Sequence, residues 1–325
     1  MMHLIHLLIV SLLFLIVNIK GELPFNNYIV NGSLKKSEQC LENIKSVADE
    51  RWTIGVYTGT SPFVLSSPDG LTNPVLTAAD VNDLKVDIVA HPFMIVTDSM
   101  YYMFFTAKDE KTDKGGIGLA ESKNGLEWKY KKIVILAPYV LAHPYVFKWN
   151  NDFYMIPEAH TETSVIIYKA VKFPDKWEKS GEIMSGDKYY VPTVINYYNL
   201  WWMFTVRPGN ETLRLFYAYS PMGPWIEHPQ SPIVEKDLNI ARPAGRPFIY
   251  NGELYRLGMD CYPTYGLQVY AFKVIEISTK KYKEEIVSVS LLKASSDGWN
   301  ENAMHHIDVQ MVHGGKWLAV VDALG

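Results

Sequence analysis

The stretch HPFMIVTDSMYYMFF, residues 91–105, decides how this chain folds, because its pattern returns twice downstream. His91-Pro92 opens an apolar run, and the aromatic pair Tyr101-Tyr102 begins nine residues past the proline. His143-Pro144 leads in the same way to Phe153-Tyr154, and Val191-Pro192 to Trp201-Trp202. A third apolar element follows each pair: GIGLAES (116–122), SVIIYKA (164–170) and LRLFYAY (213–219). A tryptophan then opens a fourth, at Trp128, Trp177 and Trp225, so the spacings are 49 and 48 residues. Four short strands per ~50 residues, separated by Gly, Asn and Asp turns, is how a β-propeller blade looks in sequence.

A fourth copy runs from Arg246-Pro247-Phe248 through Asn251-Gly252, a type I′ turn signal, into LQVYAFKVIEI (267–277) and EEIVSVSLL (284–292). The fifth copy is split. HIDVQMV (306–312) and KWLAVVDA (316–323) read as an inner hairpin, and the chain then stops. Its outer half is expected at the other end, from RWTIGVYTG (51–59) with either PFVLSS (62–67) or PVLT (74–77). The expectation is an all-β, five-bladed propeller over residues 51–325, closed by N- and C-terminal strands that share one blade and leave no free sheet edge. A two-sheet sandwich does not account for a repeat in both proline and tryptophan. The repeated tryptophans are expected in the blade cores.

With 48% hydrophobic residues in 325, the chain can bury a large core without a disulfide scaffold. Aromatics at 13% suit half-buried strands. A net charge of −4, with scattered Lys and Arg, carries no nucleic-acid footprint. Residues 4–17, LIHLLIVSLLFLIV, are too short for a comfortable membrane span and read as the apolar part of a signal peptide or signal anchor over 1–21. Any membrane contact is expected only through that segment. Residues 22–50 read as an N-terminal extension with a helical turn around 37–49. The sequons at Asn31 and Asn210 are glycosylation candidates in a non-cytosolic compartment. Cys40 and Cys261 are equally readable as a disulfide or as two buried thiols.

Repeat-equivalent positions in a propeller form a ring, and inner-strand starts converge on its axis. His91 and His143 share one such position, His305, His306 and Asp308 fall in the corresponding region of the fifth blade, and Arg242 and Arg246 in that of the fourth. One opening is therefore expected to collect imidazole, guanidinium and carboxylate groups. Glycoside hydrolysis needs two carboxylates about 5–10 Å apart. The candidates are Glu158, Asp260 and Asp308, with Asp87 ahead of the first blade. Each also has a structural reading: Glu158 bonded to a neighbouring blade, Asp260 capping a turn, Asp308 paired with Arg242 or Arg246. The histidines with Asp308 would suit zinc chemically, but no His-x-x-x-His spacing supports it, and neither a metal nor a cofactor is expected. Glycan binding asks only for aromatic faces and flanking polar groups, with Tyr262, Tyr265, Trp299 and Arg242 as candidates beside the histidines. Arg and His together would also attract an acidic sugar or an inositol phosphate.

The stretches RWTIGVYTGTSPF, HPFMIVTDSMYYMFF, GIGLAES, HPYVFKWNNDFYMIPEA, FPDKW, YSPMGPW, ARPAGRPFIYNGELYRLGMDCYPTYG and HHIDVQ, in that order over about 51–323, resemble the N-terminal domain of plant-type glucosamine inositolphosphorylceramide transferases. The resemblance implies a propeller related to arabinanase- and xylosidase-type glycosidases, a Golgi-luminal or extracellular setting, and sphingolipid glycosylation. In that family a separate transferase domain follows the propeller, and this chain ends where it would begin, so glucosamine transfer is not carried over. The family and its glycosidase relatives often have Asp before the inner-strand proline, where this chain has His91, His143 and Val191. The leading expectation is a module that binds a glycan or glycolipid headgroup, or assists such glycosylation. The alternatives are a glycoside hydrolase using Glu158 with Asp260 or Asp308, and a scaffold for a separate glycosyltransferase.

Overall fold

The computed structural model describes residues 51–109, 111–112, 114–159, 163–312 and 314–325. The signal or anchor segment, the extension, Asn31 and Cys40 lie outside the described residues, and with them the disulfide expectation. No helix among the described residues is long and apolar enough to cross a membrane.

Five antiparallel sheets make five blades. Blade I is β3 (Ile88–Val96), β4 (Tyr101–Asp109), β5 (Lys114–Ser122) and β6 (Lys129–Leu136). Blade II is β7 (Leu141–Trp149), β8 (Asp152–Ala159), β9 (Ser164–Lys172) and β10 (Lys176–Ser185). Blade III is β11 (Tyr190–Tyr197), β12 (Leu200–Val206), β13 (Leu213–Ala218) and β14 (Ile226–Glu227). Blade IV divides its inner strand into β15 (Arg242–Pro243) and β16 (Phe248–Tyr250), both on β17 (Glu253–Asp260), followed by β18 (Gln268–Ile277) and β19 (Tyr282–Lys293).

Blade V joins the two ends. The innermost strand β20 (Ile307–Met311) pairs with β21 (Trp317–Leu324), which pairs with β1 (Trp52–Ser61), itself edged by β2 (Val64–Ser66). Both readings of the outer strand contain part of the answer. PFVLSS supplies β2, while Leu76 of PVLT bridges to Ile54. The β1–β21 register is unbroken from Trp52↔Leu324 to Gly59↔Trp317, so the seam is held by a full strand ladder.

Burial falls from the axis outward, and the residues follow it. The inner β7, LAHPYVFKW, is buried over its first seven residues, whereas the outer β10, KWEKSGEIMS, is mostly exposed. The core lies between neighbouring blades. Phe104 of blade I meets Trp177 of blade II edge-on at 5.3 Å, and Tyr145 of blade II donates its hydroxyl proton to the Val194 carbonyl of blade III. Trp128 and Trp177 are core residues whose indole N–H bonds a carbonyl three residues back, Gly125 and Pro174. Trp225 is only half-buried, against the same core.

Hairpin tips follow the turn chemistry. Asn251-Gly252 has φ of 52° and 80°, the positive pair a type I′ turn requires. Asn150-Asn151 and Tyr198-Asn199 occupy the same place in blades II and III, also with φ positive at both residues.

Replacing Phe104 by Ala removes a wholly buried ring between two blades and should cost about 3–5 kcal/mol in urea-monitored unfolding. Tyr219→Ser, at a residue 80% exposed, should stay within about 0.5 kcal/mol.

Candidate functional site

The repeated X-Pro of blades I–III marks a break in each inner strand. The ladder register shifts between Ala90 and Phe93, Ala142 and Tyr145, and Tyr190 and Thr193. Within those breaks His91, His143 and Val191 have φ of 50°, 48° and 47°, a left-handed conformation that L-residues rarely take. Each places a backbone N–H toward the preceding blade, where a polar side chain accepts it. Asp322 Oδ2 takes the N–H of His91 at 2.8 Å, Thr106 Oγ1 that of His143 at 3.0 Å, and Glu158 Oε2 that of Val191 at 2.8 Å. The three acceptors sit on the second strand of their blades, each followed by alanine.

These breaks bring four imidazoles together on the axis. The His91 ring lies 4.8 Å from His305, 5.7 Å from His306 and 5.8 Å from His143, centre to centre. His143, His305 and His306 are buried and His91 is partly so. His305 stacks on Trp52 at 3.9 Å and presents Nδ1 to Asp322 Oδ1 at 2.5 Å. His306 Nε2 bonds the Pro92 carbonyl, and His91 Nδ1 lies 3.2 Å from Thr106 Oγ1. Arg242 joins through Tyr265, over whose ring its guanidinium lies at 5.8 Å; Tyr265 in turn meets His305 edge-on. Arg242 also donates to Asn210 Oδ1 at 2.7 Å and stands 3.7 Å from Glu158.

Burial sets the charge state of this cluster. It drives His143 down to about 3, with Glu158 opposing the shift and Arg242 adding to it. His91 and His306 are also lowered well below the usual range, first by burial and then by the neighbouring imidazoles. Three of the four rings are therefore neutral near pH 7. Arg242 stands beside Glu158, and these three histidines add no charge of their own.

The other candidates scatter. Phe93 lies under His143 and His306 at 4.8 and 4.6 Å, and on its far side is Arg246, 5.5 Å from that ring. Arg246 pairs with Asp308 at 2.8 Å, and Asp308 also accepts the Met94 N–H at 2.7 Å and a Gln310 amide proton. Asp308 is thus the ion-paired carboxylate of its structural reading. Asp260 ends β17 bonded to Asn239, Gln268, Tyr270 and the Tyr262 N–H, a turn cap away from the histidines. Asp87 is half-buried just before β3. Trp299 packs over Gly55 and meets Tyr57 edge-on, and Tyr262 packs against the core of blades IV and V, each partly exposed. Asn210 is buried, with its amide oxygen held by Arg242. Cys261 is wholly buried.

Thr106 and Asp322 are the functional positions that the sequence reading passed over. Extending the repeat alignment one strand further finds them, since Thr106-Ala107, Glu158-Ala159 and Asp322-Ala323 superpose.

An axial cluster on five four-stranded blades defines a propeller of the architecture found among glycoside hydrolases. A putative glycoside hydrolase from Bacteroides ovatus superposes over 81% of this chain and 98% of its own with a TM-score of 0.59 at 13% identity. Zg3597, a family 117 glycoside hydrolase of Zobellia galactanivorans, superposes over 72% and 84% with a TM-score of 0.53 at 16% identity. These likenesses establish the fold. The family model described as glucosamine inositolphosphorylceramide transferase 1, N-terminal, matches residues 45–324, and the chain belongs to that family. The rice (japonica) glucosamine inositolphosphorylceramide transferase 1 is 36% identical over 295 residues, and the Arabidopsis thaliana protein 33% over 296. The match covers 83% of this chain but only 40% and 38% of those relatives, so the chain spans about two-fifths of their length. The chain is a carbohydrate-related propeller.

Two outcomes follow from the buried charges. Arg246→Met leaves Asp308 buried without its cation and should cost about 3–5 kcal/mol in chemical denaturation. Adding Asp308→Asn, which keeps an acceptor for Met94 but removes the charge, should recover part of the loss. For His143 the unfolded ring gains a proton below about 6.5 while the folded ring resists until about 3. Stability should therefore fall as pH drops through that window, and His143→Asn, an exchange that tolerates φ of 48°, should make the urea midpoint fall less steeply.

Proposed function

We propose that this propeller is a binding or accessory module of sphingolipid glycosylation, taking a glycan or glycolipid headgroup at the axial cluster in the lumen of the secretory pathway or outside the cell. The observation that carries this reading is the employment of Glu158. Its Oε2 accepts the Val191 N–H that ties blade II to blade III, and Arg242 stands beside it. A carboxylate committed to the scaffold in this way is poorly placed to act as a nucleophile or to shuttle a proton. The neutral imidazoles and Tyr265 instead supply hydrogen-bonding groups and ring edges suited to sugar hydroxyls. Because three histidines add no charge, the ligand portion they favour is uncharged polyol rather than phosphate. The relatives are named as glucosamine inositolphosphorylceramide transferases, and their chemistry supports a sphingolipid headgroup as the ligand class.

A second reading is a glycoside hydrolase. It is favoured by the position of Glu158, buried on the axial side next to His143 and Arg242. A scaffold that docks a separate glycosyltransferase is the third.

A glycan array probed with the full chain separates these readings. Retention of sugar headgroups with no turnover of labelled oligosaccharides, and loss of retention in His143→Asn, is the expected result. Turnover abolished by Glu158→Gln would establish the hydrolase. No binding and no turnover, with a transferase co-purifying, would establish the scaffold.

A further inference from the structure

We propose that His91, His305 and Asp322 form a binding site for a divalent transition-metal ion of the zinc class, on the propeller axis. One ligating atom from each residue lies within 4.8 Å of the other two. Tetrahedral zinc with bonds of about 2.0–2.2 Å needs its ligand atoms roughly 3.3–3.5 Å apart. The set is therefore slightly open, and modest side-chain rotation closes it. Two imidazole nitrogens and one carboxylate oxygen, with a fourth position left for water or ligand, is a donor set of the kind that zinc uses.

Three observations point to a cation there. Asp322 is wholly buried, and among the described residues its one ion-pair partner is His305, with no Lys or Arg against it. A buried carboxylate without a cation is costly, and a metal ion would supply the missing charge. Secondly, Asp322 Oδ1 lies 2.5 Å from His305 Nδ1; with the ring proton on Nε2, the Nδ1 lone pair and the carboxylate converge on one point, where a cation would take the place of a shared proton. Thirdly, His91 Nε2, His306 Nδ1 and both ring nitrogens of His143 are buried without a hydrogen-bond partner among the described residues. Buried polar side-chain atoms are normally partnered. An ion held by His91 Nε2 would give that nitrogen its partner, with His143 and His306 packed around the site.

The three ligands come from three elements that only the closed ring brings together: the β3 break, the residues before β20, and β21. The site is thus a property of the folded propeller, and it stands whether or not the axial cluster binds sugar.

The test uses the full chain, stripped with a chelator and titrated with Zn2+ in a calorimeter, with Co2+ as a spectroscopic substitute. One equivalent of Zn2+ should bind, and the Co2+ adduct should lack the thiolate charge-transfer band that Cys40 or Cys261 would produce. His91→Asn and His305→Gln, each checked for fold by circular dichroism, should weaken binding by about tenfold or more. His228→Gln, in a histidine held by the Ser278 carbonyl away from the axis, should bind as the parent does. Absence of stoichiometric Zn2+ binding overturns the proposal. So does binding that survives in whichever of the two axial variants is folded, or a thiolate band in the Co2+ spectrum.

Discussion

A buried peptide N–H must find an acceptor, and in this propeller that requirement is what sets one blade against the next. The inner strands of blades I, II and III each turn one residue into a left-handed conformation, which directs an N–H out of its own ladder. The preceding blade answers with the side chain at the end of its second strand: Asp322, Thr106 or Glu158. Each acceptor reaches across a blade boundary, so blade spacing and angle follow from three hydrogen bonds to strained residues. Blades IV and V meet differently. Gly245, with φ of 143°, lies so close to Ile307 that a Cβ would stand 1.8 Å from its carbonyl oxygen, and Ile307 donates directly to the Ala244 carbonyl. Where a side chain joins the other blades, backbone joins these two.

This arrangement decides what the axis can do. In a propeller that hydrolyses sugars, the inward carboxylates must be free to react. Here Glu158 and Asp308 are occupied in holding blades together, through Val191 in one case and through Met94 and Arg246 in the other. The groups left facing one another are imidazoles, three of them held neutral by burial. Histidine in place of the aspartate expected before the inner-strand proline thus exchanges fixed negative charge for lone pairs.

Much of the fold was readable because it is written in repeats. The proline, aromatic pair and tryptophan recur at a fixed place in three blades, and the split fifth copy could be completed from either end of the chain. Asn251-Gly252 announced its turn, whereas Tyr198-Asn199 takes the same left-handed pair with no glycine to announce it. The site was less legible. His91, His143, His305 and His306 were found by repeat position, but Asp322 was not, since a lone carboxylate inside KWLAVVDA looks like a strand end until its partner in another blade is known. Thr106 was hidden for a related reason, being small and uncharged in an aromatic strand. A sequon does not show that Asn210 is buried, or a loop context that Trp299 packs over Gly55. Nor does sequence show which of two neighbouring arginines an aspartate will choose. Asp308 takes Arg246, which lies between β15 and β16 and 5.5 Å from the Phe93 ring, while Arg242, on β15, stands beside Glu158.

The seam blade carries a larger share of the axis than its neighbours. His305, His306, Asp308 and Asp322 come from the C-terminal hairpin, and Trp52, which stacks on His305, comes from β1 at the other end of the described chain. The axial cluster is therefore complete only when the two ends have paired. Closure and binding are then thermodynamically linked, because a ligand that recognises the cluster binds the closed ring and not the open one. It stabilises the closed form by RT ln(1 + [L]/Kd), about 2.7 kcal/mol at a hundredfold excess over Kd. The ring is closed by strands from distant parts of the chain, joined by the β1–β21 ladder. With these groups on the closing blade, a ligand taken at the axis as proposed would reinforce the joint on which the ring depends.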